Sequence, residues 1–541
     1  MLVPVGSGVG LTTVTLGLVR AMERMAVKVN FYKPVSQPMA GDKGPEKSTA
    51  IFRNNSHINP PEPFSLSFAE TLISEGNTDV LLEEIVGRFE SNISDDEAVV
   101  IEGLVPTKKQ PYANKINRQI ANALGADVVF VLAPGNESID NIEDQLEIAA
   151  SNYGGFNNER VIGCIFNKVN APRDLKGNLA NDFSEQLNDV DNEGVAKRFQ
   201  QMSIFKHQFH MLGCVPWNPE LIAPRVKDLA DYLDAKILNE GDMEFRRLRS
   251  ITVCARTVGN ILARVRPGVL LVTPGDRSDI LVAASLSAMN GTKIGAVLLT
   301  GGFRPEPSIL DLCKQAFETG LPILCTETDT WETSLLLQRF NLEVPTDDEQ
   351  RIERVKEHTA SHISKLWIKG LIQNVAKARK LSPAAFRYIL VDKARKAKKT
   401  IVLPEGNEPR TIKAAAICAE RNIARCQLLG SKEEILRIAE QQGISLPDNL
   451  LITDPDVIRE NYVAPLVKLR EHKGLTEVVA KQSLQDNVVL ATMMLQLGQV
   501  DGLVSGAVNT TANTIKPALQ LIKTAPGSSL VSSIFFMLLP D

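Results

Sequence analysis

Short β-branched runs recur along the chain, each stopped by Gly, Pro or Asp and separated by stretches of helical period. Examples are VVIEGL (99–104), DVVFVLAPG (127–135), RVIGCIFNKV (160–169), GVLLVTPGD (268–276), KIGAVLLTGG (293–302), KTIVLPEGN (399–407), ARCQLLG (424–430) and VDGLVSGAVN (500–509). Within these runs apolar residues are continuous rather than alternating, which marks strands covered on both faces. Strands that alternate with helices predict parallel sheets joined by right-handed crossovers. The expected fold class is α/β and multi-domain, with parallel sheets flanked by helices.

At 541 residues the chain is long enough for several cores, about three or four at roughly 100–200 residues per domain. Aromatics are only 5%, so those cores must be built from Leu, Ile, Val and Ala. A formal charge of -4 gives no global field for nucleic acid or an anionic membrane, and neither is expected as a partner. No apolar run is long enough to span a bilayer, and the opening MLVPVGSGVG lacks the pattern of a secretory signal. A cytoplasmic location is expected. Cys164, Cys214, Cys254, Cys313, Cys325, Cys418 and Cys426 include no C-x-x-C pair and fit buried thiols in a reducing compartment. His358 and His362 have metal-ligand spacing on a helix, but no acidic or cysteine partner completes a set, so no metal is expected.

Composition divides the chain into residues 1–215, 216–347, a helical linker over 348–385, and a last domain over 386–541. The linker region becomes basic towards its end, through Lys377, Arg379, Lys380, Arg387, Lys393, Arg395, Lys396, Lys398 and Lys399. Acidic residues dilute it upstream and aromatics for base stacking are sparse, so a solvated helix face fits better than a nucleic-acid patch.

A glycine loop opens the chain, with Gly6, Gly8 and Gly10 between a very short strand and a helix. A phosphate-cradling loop also needs a lysine for the β/γ-phosphates and a hydroxyl for magnesium. Thr12 keeps the hydroxyl, but Leu11 stands where the lysine belongs, so nucleotide hydrolysis is not expected. An anion-accepting helix start stays open beside a structural remnant. With Glu102-Gly103 and Asn167-Lys168 at two later strand ends, the first domain resembles the dethiobiotin-synthetase-like P-loop family in arrangement. Further on, Asp276-Arg277 and Thr300-Gly301-Gly302 each follow a strand, a pattern that resembles the DRTGG domain. There a pairing of Asp276 with Arg277, a structural turn and a ligand site are all open.

The residues from Ile401 onward carry the most specific chemistry. Pro404-Glu405-Gly406 forces a tight exit from a strand, and Arg410 lies in the first turn of the next helix. Arg470 and Lys473 follow, and then a strand ending in Ser505-Gly506 leads through a hydroxyl-rich loop into another helix. Thr510, Thr511, Asn513 and Thr514 offer hydrogen bonds, the helix start offers N–H groups, and Lys516 adds a charge. Phosphate chemistry in a water-poor cleft needs that combination of dipole, hydroxyls and fixed cations.

The PEG-x-x-x-R opening, the LR-x-H-K-G segment and the DG-x-VSGA-x-x-T-T-x-x-T run resemble the amino half of the phosphate acetyltransferase catalytic domain. The order of the three regions is similar to the long bacterial form of that family, and the resemblance covers nearly the whole chain. It implies reversible acetyl transfer between coenzyme A and inorganic phosphate, with acetyl-CoA, CoA, phosphate and acetyl phosphate as partners. It also implies a homo-oligomer, and no cofactor, because CoA is a substrate. Carried over by motif, the family's anion-binding arginines fall on Arg410, Arg470 and Lys516, with Ser505, Gly506 and Thr511 lining the same cleft. Lysine at 516 departs from the usual arginine and implies weaker anion orientation, since the bidentate fork is lost.

The family's general base is expected beyond Asp541, so no catalytic residue is assigned in this chain. Only four residues precede the glycine loop, and the apolar run Leu530 to Leu539 reads as a strand with nothing to cover it. The expectation is therefore a chain truncated at both ends, with an incomplete catalytic domain, low activity and poor solubility. Three other readings compete: a ligand-sensing chain that binds CoA or nucleotide without turnover, an ATP-dependent ligase, and a phosphate butyryltransferase.

Overall fold

The computed structural model describes residues 1–38, 44–94, 97–135, 137–172, 192–206, 208–374, 382–528 and 530–533. Lys377, Arg379 and Lys380 of the basic stretch and most of the terminal apolar run lie outside them. The chain forms two compact units, Met1–Lys380 and Leu381–Asp541.

The first unit opens with β1 (Leu2–Pro4), β2 (Val29–Tyr32), β3 (Ala98–Ile101), β4 (Val128–Leu132), β5 (Val161–Val169) and β6 (His210–Pro216). β1-β4-β5-β6 form one parallel sheet and β2-β3 a second, and a single parallel bridge from Leu2 to Glu102 sets β3 beside β1. The chain thus reverses direction across the sheet at β1, and the glycine loop lies at the carboxyl end of that strand, the favoured position for a ligand in an open α/β sheet. Next come β7 (Lys236–Asn239), β8 (Ser250–Val253), β9 (Val269–Pro274), β10 (Ala296–Thr300) and β11 (Ile323–Cys325), in the order β7-β11-β10-β9-β8. Only β7 runs antiparallel.

The region read as a solvated linker is, over its first helix, part of a core. Helix Glu349–Ser361 buries Ile352 and Val355 against the same apolar cluster as Val14, Leu18 and Phe31. It lies so close to helix Leu11–Glu23 that a Cβ on Gly17 would come within 2.2 Å of the Thr359 side chain. Glu353, Arg354 and Glu357 keep an exposed face, but two of its charged residues do not: Arg351 is buried and donates to the Leu221 carbonyl at 2.6 Å, and the buried Lys356 donates to that of Asn55 at 2.9 Å. His358 and His362 sit on this helix with ring nitrogens against the Pro216 carbonyl (3.1 Å) and the His358 carbonyl (2.7 Å).

The second unit holds β12 (Thr400–Leu403), β13 (Arg425–Leu429), β14 (Leu451–Thr453) and β15 (Gly502–Leu503), all parallel, in the order β14-β13-β12-β15. Successive strand side chains point to opposite faces. Val402 and Leu429 pack with Tyr462, Leu490 and Met493 on one face, and Leu403 and Leu428 pack with Ile412 and Ile435 on the other. The reversal here falls between β12 and β15, so the turns leaving these two strands face each other.

All seven cysteines are free thiols, buried or half-buried. Among the described residues no helix is long and apolar enough to cross a membrane. No group of three or more His, Cys, Asp or Glu among them is placed to hold a metal.

Candidate functional site

The turn after β12 is Pro404-Glu405-Gly406. Gly406 donates to the Leu429 carbonyl at 3.1 Å, and a Cβ there would lie 2.4 Å from that oxygen, so only glycine fits. This pins Glu405 at the mouth of the sheet, where its side chain turns to the loop that follows β15. The carboxylate accepts N–H bonds from Gly506 (3.0 Å), Ala507 (2.9 Å), Val508 (2.8 Å) and Asn509 (2.7 Å), and the Asn509 side-chain amide adds a fifth at 3.0 Å. Gly506 adopts φ 124°, a conformation open to glycine, which lets consecutive N–H groups converge. Burial pushes the Glu405 carboxyl up, but the four backbone N–H groups outweigh it and bring it from 4.5 to about 2.

Arg410 joins the same two turns. It follows Pro409 in the first turn of helix Pro409–Glu420, whose N-cap Glu408 accepts from the Thr411 N–H at 3.0 Å. Its Nε donates to Glu408 Oε1 and its Nη2 to the Ala507 carbonyl, both at 2.7 Å, while the side chain stays mostly exposed. A cation at a helix start opposes the dipole, and the Glu408 carboxylate offsets this.

Ser505 and Gly506 lie in this loop, and Thr510 caps helix Thr511–Leu521 by accepting from the Asn513 N–H at 3.3 Å. Thr514 donates back to Ser505 Oγ at 3.5 Å. Thr511 is the first helical residue, exposed, and Lys516 is exposed on the same helix. Arg470 is held differently. Its Nη1 donates to the Gln520 carbonyl at 3.0 Å, at the far end of the helix, roughly 13 Å along the axis from Thr511. The structure therefore sets Arg410 against the loop that carries Ser505 and Gly506, with Thr511 starting the helix that follows that loop, and sets the Arg470 guanidinium at the opposite helix end, where a cation complements the dipole. Sequence reasoning missed Glu405. The PEG turn was visible, but its partners lie 101–104 residues away.

At the front loop Gly6, Gly8 and Gly10 take φ 100°, 71° and 73°. Leu11 does not point towards a ligand: it is buried in the core beside Val14 and Phe31. The Lys168 ammonium donates to the Gly8 carbonyl at 2.8 Å, and Asn167 donates to that of Val9 at 2.8 Å. Burial lowers the Lys168 ammonium below its ordinary value. Thr12 contacts Ser48 at 3.0 Å, and Glu102 Oε1 accepts from Thr12 (3.4 Å), Ser48 (2.9 Å) and Lys33 (2.7 Å). Lys33 also pairs with Glu46 at 2.9 Å. Burial opposes the Lys33 charge, but Glu102 and Glu46 more than compensate and raise it above its ordinary value. The carboxylate that a nucleotide site would direct at a metal is thus already paired with an ammonium.

In the middle region Arg277 does not pair with Asp276. It grips Asp279 at 2.8 and 2.9 Å and reaches the Cys254 carbonyl at 3.5 Å. Gly302 takes φ 70°, and a Cβ there would meet the Glu327 carboxylate at 2.5 Å.

The chain matches three family models: "AAA domain" over residues 1–225, "DRTGG domain" over 228–340 and "Phosphate acetyl/butaryl transferase" over 385–541. It is similar to the phosphate acetyltransferase of Salmonella typhimurium, with 51% identity covering 100% of this chain and 76% of that protein. The phosphate acetyltransferase of Escherichia coli (strain K12) is 52% identical over the same shares. Among solved structures it is similar to a phosphotransacetylase from Streptococcus pyogenes, with 34% identity over 26% of this chain and 43% of that one and a TM-score of 0.24.

Proposed function

The chain belongs to the phosphate acetyltransferase family, and on that premise we propose how its own residues serve the acyl transfer. The activity is reversible: acetyl-CoA and phosphate give acetyl phosphate and CoA. A phosphate oxygen attacks the thioester carbonyl, the C–S bond breaks, and CoA leaves as a thiolate that takes up a proton. In reverse the thiolate attacks acetyl phosphate and phosphate leaves. Both directions need an anion held against a carbonyl in a site of fixed dipoles.

The observation that carries this reading is Arg410 bridging the turn after β12 and the loop after β15 while its side chain stays mostly exposed. In our reading the exposed Arg410 guanidinium and the leading N–H groups of helix Thr511–Leu521 hold the phosphate or the CoA phosphates. Ser505 and Thr511 hydroxyls complete the shell, Gly506 allows close approach, and Lys516 adds long-range attraction. Arg470 serves through the helix it anchors. The step is assigned no cofactor, CoA being consumed and released as substrate. We place the protein in the cytoplasm, where seven free thiols persist, and expect a homo-oligomer.

Assay of acetyl phosphate formation from acetyl-CoA and phosphate with the 541-residue chain, alongside calorimetric titration with CoA, tests the proposal. Saturable CoA binding weakened by substitution at Arg410 supports it. Binding that ignores Arg410, Ser505 and Thr511 overturns the site assignment.

A further inference from the structure

Deepening the reading above, on which it rests, we infer that Glu405 is a positioning residue. Its carboxylate fills the nest of N–H groups at residues 506–509, and so fixes the loop that orients Arg410 and starts helix Thr511–Leu521.

Four consecutive backbone N–H groups and one side-chain amide converge on its two oxygens at 2.7–3.0 Å, and the residue is only 6% exposed. A concave run of N–H groups is ordinarily an anion site. Here the protein supplies the anion itself, so the substrate's phosphate is directed outward, to Arg410 and the helix start. Two peptide units couple the nest to that outer site. Ala507 gives its N–H to Glu405 and its carbonyl to Arg410. Asn509 gives both its N–H and its amide to Glu405 and is followed directly by the capping Thr510. The backbone side is equally constrained, because Gly406 is wedged against Leu429. A carboxylate so engaged, and held ionised to about 2, is unsuited to accept a proton from the thiol. Its part is geometric.

The test uses the full chain as wild type, Glu405→Ala and Glu405→Gln, and reads CoA affinity together with amide hydrogen exchange at residues 506–509. Glu405→Ala is expected to weaken CoA binding at least tenfold and to speed exchange in the loop. Formate, added at constant ionic strength against a chloride control, refills the nest and restores both. A role confined to overall stability would speed exchange throughout the second unit and not selectively at residues 506–509. Should Glu405→Ala fail to fold, Glu405→Gln keeps the shape and loses the charge, and is expected to show the same changes to a smaller degree. Wild-type affinity or wild-type exchange in a folded variant overturns the inference, and so does a loss that formate leaves unrepaired. Absence of CoA binding in the wild type overturns the underlying reading instead. In that case loop exchange still decides whether Glu405 orders residues 506–509.

Discussion

The Nη2 of Arg410 and the carbonyl oxygen of Ala507 are 2.7 Å apart, so one guanidinium joins two turns that leave neighbouring strands almost a hundred residues apart in sequence. Lysine, with a single ammonium, cannot hold Glu408 and Ala507 in this fork geometry and still face a ligand. Arg410→Lys should leave stability within about 0.5 kcal/mol, because the side chain is exposed. CoA affinity should fall roughly tenfold to a hundredfold, the range of one charge-assisted hydrogen bond. Thermal melts paired with CoA titration check both halves.

Acid should expose the Glu405 nest. Its carboxyl is depressed in the folded chain, so the stability it contributes is present above its ordinary value of 4.5 and is lost as pH falls through about 2. Denaturant midpoints recorded across that window should decline more steeply in wild type than in Glu405→Gln. Parallel curves would show that the carboxylate is not the group being titrated.

Gly406→Ala places a methyl 2.4 Å from the Leu429 carbonyl. The turn must shift, at a cost of about 1–3 kcal/mol for overpacking, and it carries Glu405 with it. Both the melting temperature and CoA affinity should fall, whereas a turn that merely connects elements would lower only the first.

Leu11→Lys would supply the residue that the glycine loop lacks, yet Leu11 is only 4% exposed and packed in the core. The expected result is destabilisation by several kcal/mol, the scale of burying an unpaired charge, with no gain of ATP hydrolysis. Phosphate release from ATP and a melting curve test it directly.

Lys33→Met strands Glu46 and Glu102 in the interior without their cation. A loss of about 3–5 kcal/mol is expected at neutral pH. The Glu46 carboxyl is lowered in the wild type, burial being outweighed by Lys33, and without the ammonium it should titrate higher. The deficit of the variant should therefore shrink as pH falls towards the carboxylate range, and a deficit constant with pH would contradict the pairing.

The apolar runs at β4, β5, β9, β10, β12 and β13 were legible in the sequence because both faces of those strands are covered. β7 and β14 were not, since they are short and Lys236, Ile237 and Leu451 are exposed. Helix Glu349–Ser361 misled for a different reason. Arg351 and Lys356 look like surface residues, but each is buried with backbone carbonyls as partners supplied from distant parts of the chain. Arg410, Ser505, Gly506 and Thr511 could be named from their motifs. Glu405 could not be given its role, because its nest exists only once β15 has returned to β12.

That return sets a schedule. β12, β13 and β14 are near neighbours in sequence, whereas β15 comes after all three and docks on the other edge of β12, where Val504 donates to the Val402 carbonyl. Closure of so long a loop is slow compared with local pairing. The Glu405 nest therefore cannot form until β15 has docked beside β12. A growing polypeptide holds Glu405 without its N–H partners until that docking is complete.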